Sequence, residues 1–340
     1  MFYIRADANA TIGSGHIMRC LVIANALKRR GEDTVFITAD REAEQLINNN
    51  GFQVISLDTT WNHLDSEFDK LKYTINVIGI KKLLLDSYFI TEDYLARLRK
   101  ITKTIYIDDL NEYRYPVDML INYSLCADQL EYEKKYTVDT RLLIGSNYTP
   151  LREEFSNIKR IQKESVTDIL ITTGGSDAYN IAGTLIKYIR YRPEFDAVNL
   201  HVVVGAFNTN RDKLAIMEET YQNVIVYYNV TRMSELMKNC DIALSAGGTT
   251  LYELCACGIP SICFTFADNQ IEGAKEFDRQ GLLYYAGDVR ISMESCIDRI
   301  ISKIKILNND EVYRRRLSKK VMTVVDGMGA NRIAEEILMI

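Results

Sequence analysis

Short β-branched runs alternate with longer amphipathic runs along this chain, and the whole series occurs twice. In the first half the strand candidates are 2–5, 34–38, 53–56, 82–86, 104–107, 119–121 and 142–144, with helical patterns at 42–49 and 91–99. In the second half they are 168–172, 200–204, 224–227, 242–245 and 261–264, with helices around 181–188, 211–219, 233–238 and 250–255. Strand–helix alternation dictates parallel sheets with crossover helices, an α/β class. A chain of 340 residues exceeds one ordinary core. The two series therefore predict two doubly wound domains, 1–157 and 165–325, joined by the polar stretch NIKRIQKES (157–165). Residues 300–340 read as mainly helical with a break at Gly327–Gly329, so 326–340 is expected as a helix packing back towards the first domain.

Bulk properties exclude several classes. A net charge of −5 gives no electrostatic footprint for nucleic acid or an anionic membrane surface. No apolar run reaches about 18 residues, so no membrane insertion is expected. The start, MFYIRADANA, lacks the basic and apolar regions of a signal peptide. The seven cysteines, Cys20, Cys126, Cys240, Cys255, Cys257, Cys263 and Cys296, are odd in number and mostly in apolar surroundings. Free thiols in a reducing cytoplasm are expected. Cys255-Ala256-Cys257 is a C-x-C without a matching His/Cys pair, so zinc is not expected. No cofactor is expected. A monomer is the expected state.

Ligands of open parallel sheets bind at the carboxyl ends of strands. Three glycine-rich loops follow predicted strands: Gly13-Ser14-Gly15-His16, Gly174-Gly175-Ser176-Asp177 and Ser245-Ala246-Gly247-Gly248-Thr249-Thr250. The first has G-x-G but Met18 at the third glycine position of a dinucleotide fingerprint, and no Walker-type loop occurs. It reads either as a structural turn before a helix starting near Ile17 or as a ligand loop in which His16 supplies a base. His16 is one of three histidines. His63 and His201 have no motif around them and read as structural. Gly174, Gly175 and Ser176 suit a phosphate, or Ser176 and Asp177 simply cap a helix. Gly247, Gly248, Thr249 and Thr250 suit a diphosphate at a helix start, and Glu253 one turn on suits two ribose hydroxyls. Asn269 and Gln270 follow another strand and suit a sugar or diphosphate, or an Asx-type helix start. Asp86 and Tyr88 end one strand; Asp108 and Asp109 end another and are candidates to orient His16. Arg314-Arg315-Arg316 reads as a solvated helix face.

In order along roughly 2–285 stand Arg5-Ala6-Asp7, Gly13-Ser14-Gly15-His16-Ile17-Met18-Arg19, Asp86-Ser87-Tyr88, Ile107-Asp108-Asp109, Leu151-Arg152-Glu153-Glu154-Phe155, Gly174-Gly175-Ser176-Asp177 and Asn269-Gln270. This series resembles the UDP-2,4-diacetamido-2,4,6-trideoxy-β-L-altropyranose hydrolases of pseudaminic acid biosynthesis and related spore-coat polysaccharide proteins. The resemblance implies a GT-B fold, two Rossmann-like domains with a cleft between them, and a metal-free site with UDP held mainly by the second domain. It maps the catalytic histidine onto His16 and the tyrosine of a D-x-Y motif onto Tyr88. Gly13, Gly15, Arg19, Asp86, Arg152, Asn269 and Gln270 become substrate contacts. The Ser245–Glu253 segment is closer to the G-G-x-[ST]-x-x-E of broader GT-B transferases than to some hydrolase members, which leaves the sugar open.

The expected reaction is hydrolysis of a UDP-sugar with inversion, His16 taking a proton from water. The rivals are a GT-B glycosyltransferase, a non-catalytic nucleotide-sugar-binding partner and a UDP-sugar 2-epimerase. Lys28-Arg29-Arg30 would suit a transferase docking at a membrane.

Overall fold

The structure, a computed structural model, describes residues 1–9, 11–205 and 207–340. The chain divides into two units, Met1–Arg152 with Met328–Ile340, and Glu153–Gly327. The first unit comprises β1 (Phe2–Ala6), α1 (Gly15–Lys28), β2 (Thr34–Thr38), α2 (Glu44–Asn49), β3 (Gln53–Ser56), α3 (Leu64–Ile78), β4 (Lys82–Asp86), α4 (Glu92–Arg99), β5 (Lys103–Ile107), β6 (Met119–Asn122), α5 (Tyr132–Lys135) and β7 (Arg141–Ile144). The second comprises β8 (Asp168–Thr172), α6 (Ile181–Arg190), β9 (Asn199–Val204), α7 (Arg211–Thr220), β10 (Val224–Tyr228), α8 (Met233–Asn239), β11 (Ile242–Ala246), α9 (Thr250–Ala256), β12 (Ser261–Thr265), α10 (Asp268–Arg279), β13 (Tyr284–Asp288), α11 (Met293–Asn309) and α12 (Glu311–Val321). The final helix, α13 (Gly329–Met339), returns to the first unit.

Each unit is a parallel sheet, ordered β3-β2-β1-β4-β5-β6-β7 in the first and β10-β9-β8-β11-β12-β13 in the second. Helices cover both faces, so the central strands are buried on both sides and read as unbroken apolar runs. In the first unit Tyr3, Val35, Ile37, Leu83 and Leu85 share one face and pack with Leu64, Phe68, Leu71 and Ile75 of α3 and Tyr94, Leu95 and Leu98 of α4. Their alternation leaves Leu84 and Asp86 for the opposite face. Arg5 lies on the Tyr3 face yet is fully buried. Its guanidinium donates two bonds to Glu67, at 2.8 and 2.7 Å, and a third to Asp7. Tyr94 donates to the same Glu67, and Asp7 accepts the Ala39 N–H. Neutralised in this way, a buried charge ties the end of β1 to α3, α4 and the end of β2.

The expected junction at 157–165 is displaced. Phe155 is buried in the second unit, and the 160–164 stretch is strapped along it. Arg160 donates to the carbonyls of Met237, Lys238 and Cys240, Gln162 to that of Asp241, and Lys163 pairs with Asp168. A polar stretch that finds backbone partners is a strap and not a linker. Arg314, expected in solvent, is fully buried: it satisfies the carbonyls of Leu307 and Asn308 at the end of α11 and those of Lys163 and Glu164 in the strap. Arg315 and Arg316 are exposed.

Arg29 and Arg30 of the Lys28–Arg30 run reach α13. Arg30 pairs with Glu335 at 2.6 Å and bonds Asn331, while Lys28 lies over the Phe52 ring. Lys82 reaches the last carbonyls of α13, where a cation suits the negative end of the helix dipole. Ile333 and Ile337 are fully buried. Ile337→Ala should lower the stability of the first unit by about 2–5 kcal/mol, because it removes buried methyl groups and leaves a cavity. Urea unfolding measures it; an unchanged midpoint would show that α13 is not part of this core.

Candidate active site

In the first sheet the chain builds outward from β1 through β2 to β3, then returns to the other side of β1 as β4. The loops leaving β1 and β4 diverge, which opens a crevice at the carboxyl ends of these two strands. Register sets Ala6 beside Asp86. Asp86 faces the first turns of α1, where His16, Arg19 and Cys20 stand three and four residues apart on one helical side. The helix begins at Gly15, earlier than expected, so His16 belongs to its first turn and not to the loop.

His16 Nδ1 lies 2.6 Å from Asp86 Oδ1. Arg19 donates from Nε to Asp86 Oδ2 at 2.6 Å and from Nη2 to Oδ1. The Cys20 thiol donates to Oδ2 at 3.5 Å. Arg19 Nη1 completes the set with Tyr123 at 2.7 Å and Asp109 at 3.0 Å. Burial alone would raise the Asp86 pKa, but Arg19 and then His16 outweigh it and hold the carboxyl well below the usual carboxylate range. An ionised carboxylate only accepts, so the proton of the short contact sits on His16 Nδ1, which is the tautomer that puts the lone pair of a neutral imidazole on Nε2. Among the described residues Nε2 has no hydrogen-bond partner. The Tyr88 ring meets the imidazole edge-on with centroids 4.5 Å apart. Burial pushes the Cys20 thiol far up, which leaves it protonated and inert.

These contacts revise several roles. Asp86 and Arg19 were expected to touch substrate; both are buried, and their polar atoms are taken up by each other, His16, Asp109 and Tyr123. Neither Asp108 nor Asp109 orients His16. Asp108 accepts from the Leu110 and Asn111 N–H groups and from Tyr132, and Asp109 pairs with Arg19. Gly13, at a φ of 72° that favours glycine, closes the turn by donating to Asn9 O, and Gly15 opens α1 on the surface. Arg152 is the last residue of the first unit before the chain crosses to the second, and is partly exposed.

In the second sheet the same reversal falls between β8 and β11. Gly174, Gly175 and Ser176 follow β8. The start of α6 is already satisfied: Asp177 accepts from the N–H groups of Ile181 and Ala182, at 2.7 and 3.0 Å. A phosphate at this loop would have to use the amides of 174–176 instead. Thr173, passed over in the sequence, is buried at the end of β8 with its hydroxyl unpartnered. After β11, Gly248 has a φ of 143° and is exposed with Thr249, Thr250 opens α9, and Glu253 lies in its first turn. A Cβ at Gly247 would stand 3.0 Å from Gln270 Cβ and 3.2 Å from Thr265, so only glycine lets this loop approach the start of α10. Gln270 there accepts the Phe266 N–H, and Asn269 is exposed beside it. His201 is bonded on both nitrogens, to Asp168 and Tyr227, which accounts for it structurally. All seven cysteines are free. Among the described residues no group of three or more His, Cys, Asp or Glu could hold a metal, and no helix is long and apolar enough to cross a membrane.

Residues 169–335 match the model of the glycosyltransferase family 28 C-terminal domain. The chain is a distant homologue of the UDP-2,4-diacetamido-2,4,6-trideoxy-beta-L-altropyranose hydrolase of Campylobacter jejuni, with 24% identity over 76% of this chain and 90% of that protein. It is likewise related to the spore coat polysaccharide biosynthesis protein SpsG of Bacillus subtilis, at 23% identity over 97% of this chain and 95% of that one. An uncharacterized protein of Methanocaldococcus jannaschii is 27% identical over 76% of this chain, and the match spans only 54% of its length. The fold is that of GT-B proteins: Acinetobacter baumannii MurG superposes over the full length of both chains with a TM-score of 0.70 at 11% identity.

Asp86→Asn should destabilise the first unit by about 3–5 kcal/mol, since removing one member of a buried pair strands the other. A carboxylate with a depressed folded pKa stabilises above its unfolded value of about 3.9 and loses that contribution as pH falls through the folded value. The difference between wild type and variant should therefore be full above about pH 5 and shrink below about pH 4. Urea unfolding of both proteins across this range checks it; a difference independent of pH would contradict the ionised pair.

Proposed function

We propose that this protein hydrolyses a UDP-activated amino sugar, with His16 as general base and Asp86 as the residue that positions it. The observation that carries the reading is the short Nδ1–Oδ1 contact, which leaves a lone pair on Nε2 at the reversal point of the first sheet. Nε2 takes a proton from water, the water oxygen bonds to the anomeric carbon, and the bond from that carbon to the diphosphate oxygen breaks. UDP leaves with the electron pair and the anomeric configuration inverts. The positive charge the ring acquires is offset by Asp86, whose own charge does not move. Base assistance of this kind contributes roughly 10²–10⁴-fold. The nucleotide roles stay with Gly174, Gly175, Ser176, Gly247, Gly248, Thr249, Thr250 and Glu253 of the second unit, where main-chain amides would face the diphosphate. Asn269 and Gln270, beside Gly247, and Tyr88, against His16, are assigned to the sugar. The name of the C. jejuni homologue supports this substrate class.

A glycosyltransferase is the second reading, supported by the family 28 C-terminal match. Its hint from the Lys28–Arg30 run weakens, because Arg30 and Lys28 are occupied by α13 and Phe52. Incubation with UDP-amino sugars and no acceptor separates the two. The hydrolase reading expects free sugar and UDP from wild type and a loss of about 10²-fold or more in turnover for His16→Ala, with UDP binding retained. No free sugar from any donor in the panel, or equal turnover in the variant, would sink it.

A further inference from the structure

The charges around a neutral His16 do not balance. Asp86 and Asp109 bring two carboxylates, Arg19 brings one guanidinium, and among the described residues no second cation pairs with either acid. Asp86 alone would neutralise Arg19, since it accepts from both Nε and Nη2. Asp109 comes from another strand end, two residues past β5, and its Oδ2 stands 2.7 Å from Arg19 Nη1. That oxygen is buried and makes no hydrogen bond, so what it contributes there is charge. Burial alone would lower the Arg19 pKa, but Asp109 and then Asp86 outweigh it and hold the group well above its usual range. Burial keeps the Cys20 thiol and the Tyr123 phenol protonated, so neither adds a charge, and Tyr88 meets the imidazole with its ring. Asp108 is turned to Tyr132 and to the amides of Leu110 and Asn111.

Arg19 Nη2 lies 3.3 Å from His16 Nδ1, and both address the same Asp86 oxygen. A guanidinium so close opposes a second positive charge on the ring, and one carboxylate shared between the two does not offset both. We infer that Asp109 is a positioning residue for the proposed reaction: it takes up the charge of Arg19 and so leaves Asp86 to stabilise the imidazolium that forms when His16 receives the proton of water. The inference rests on the hydrolase reading. With the ring protonated, two carboxylates face two cations, so the cluster is electrically complete only once the proton has moved. Charge set in place beforehand lowers a barrier without reorganisation during the step. Asp109 acts through Arg19 on the charge of the ring and not on its orientation, which stays with Asp86.

The Asp109 side chain is 21% exposed, so water can take the place of its carboxylate and Asp109→Asn should fold. Asp109→Ser opens the position further and repeats the test if the amide disturbs the packing, while Asp109→Glu keeps the charge. The chain has three histidines, so the His16 Cε1–H resonance is assigned by its loss in His16→Ala and followed through pH by NMR. In the two neutral variants the ring should take up its proton about one pH unit lower than in wild type, and Asp109→Glu should restore the wild-type titration. With the UDP-amino sugar that wild type hydrolyses, kcat/KM should fall about three- to tenfold in the neutral variants, with KM little changed, and recover in Asp109→Glu. An Asp109 that merely holds the fold would lower the urea midpoint and leave the resonance titrating as in wild type, and that result overturns the proposal. A displaced titration in a protein whose wild type releases no UDP overturns the hydrolase reading alone. His16-dependent UDP release with an unmoved titration overturns the role of Asp109 alone.

Discussion

A single buried carboxylate organises the first unit. Asp86 ends the strand at which the sheet reverses its order, and it is withdrawn from solvent. Such a charge is tolerable only if it is matched, and α1 supplies the match with Arg19 and His16 on one side of its first turns. Arg19 in turn needs Asp109 and Tyr123, so the ends of β4, β5 and β6 are drawn onto one helix. The ring of His16 has little freedom left: Asp86 fixes Nδ1 and Tyr88 stands against its edge. A group held in this way can present Nε2 to one position in space, which is what a general base requires. The Arg5–Glu67–Asp7 cluster does comparable work on the other face of the sheet, holding the strand end from which the glycine turn departs.

The second unit repeats the topology without repeating the chemistry. Its reversal point carries small residues and main-chain amides where the first carries charged side chains. Gly247 exists because Gln270 approaches it closely, and Gly248 because its backbone adopts a glycine-favoured angle. Asp177 spends its carboxylate on the start of α6, which removes that helix end from competition for an anion. This division suits a proposal in which one unit recognises a nucleotide and the other performs the bond cleavage.

Much of this architecture is legible in the amino-acid sequence. Period and β-branching located β1–β12, because parallel strands buried on both faces leave unbroken apolar runs. The strand at Tyr284–Asp288 escaped, since Gly287 and Asp288 disguise its end as a turn. The helix at Leu64–Ile78 escaped too, although Leu64, Phe68, Leu71 and Ile75 recur at helical spacing. His16 stood out by rarity and by its glycine turn, and Tyr88 by resemblance. The partner of His16 could not be read, because three acidic strand ends offered equivalent chemistry, and only register and facing select Asp86 over Asp108 and Asp109. Arg314 and the strap at 160–164 failed for one reason: a polar side chain that satisfies distant carbonyls looks the same in sequence as one that faces water.

The central claim is that water attacks the anomeric carbon under the control of His16. A single turnover of UDP-sugar in oxygen-18 water, followed by mass analysis of both products, tests it most directly. The account predicts the label in the free sugar, none in UDP, and an inverted anomer in the first NMR spectrum after mixing. Label in the diphosphate would mean cleavage at phosphorus and would contradict it.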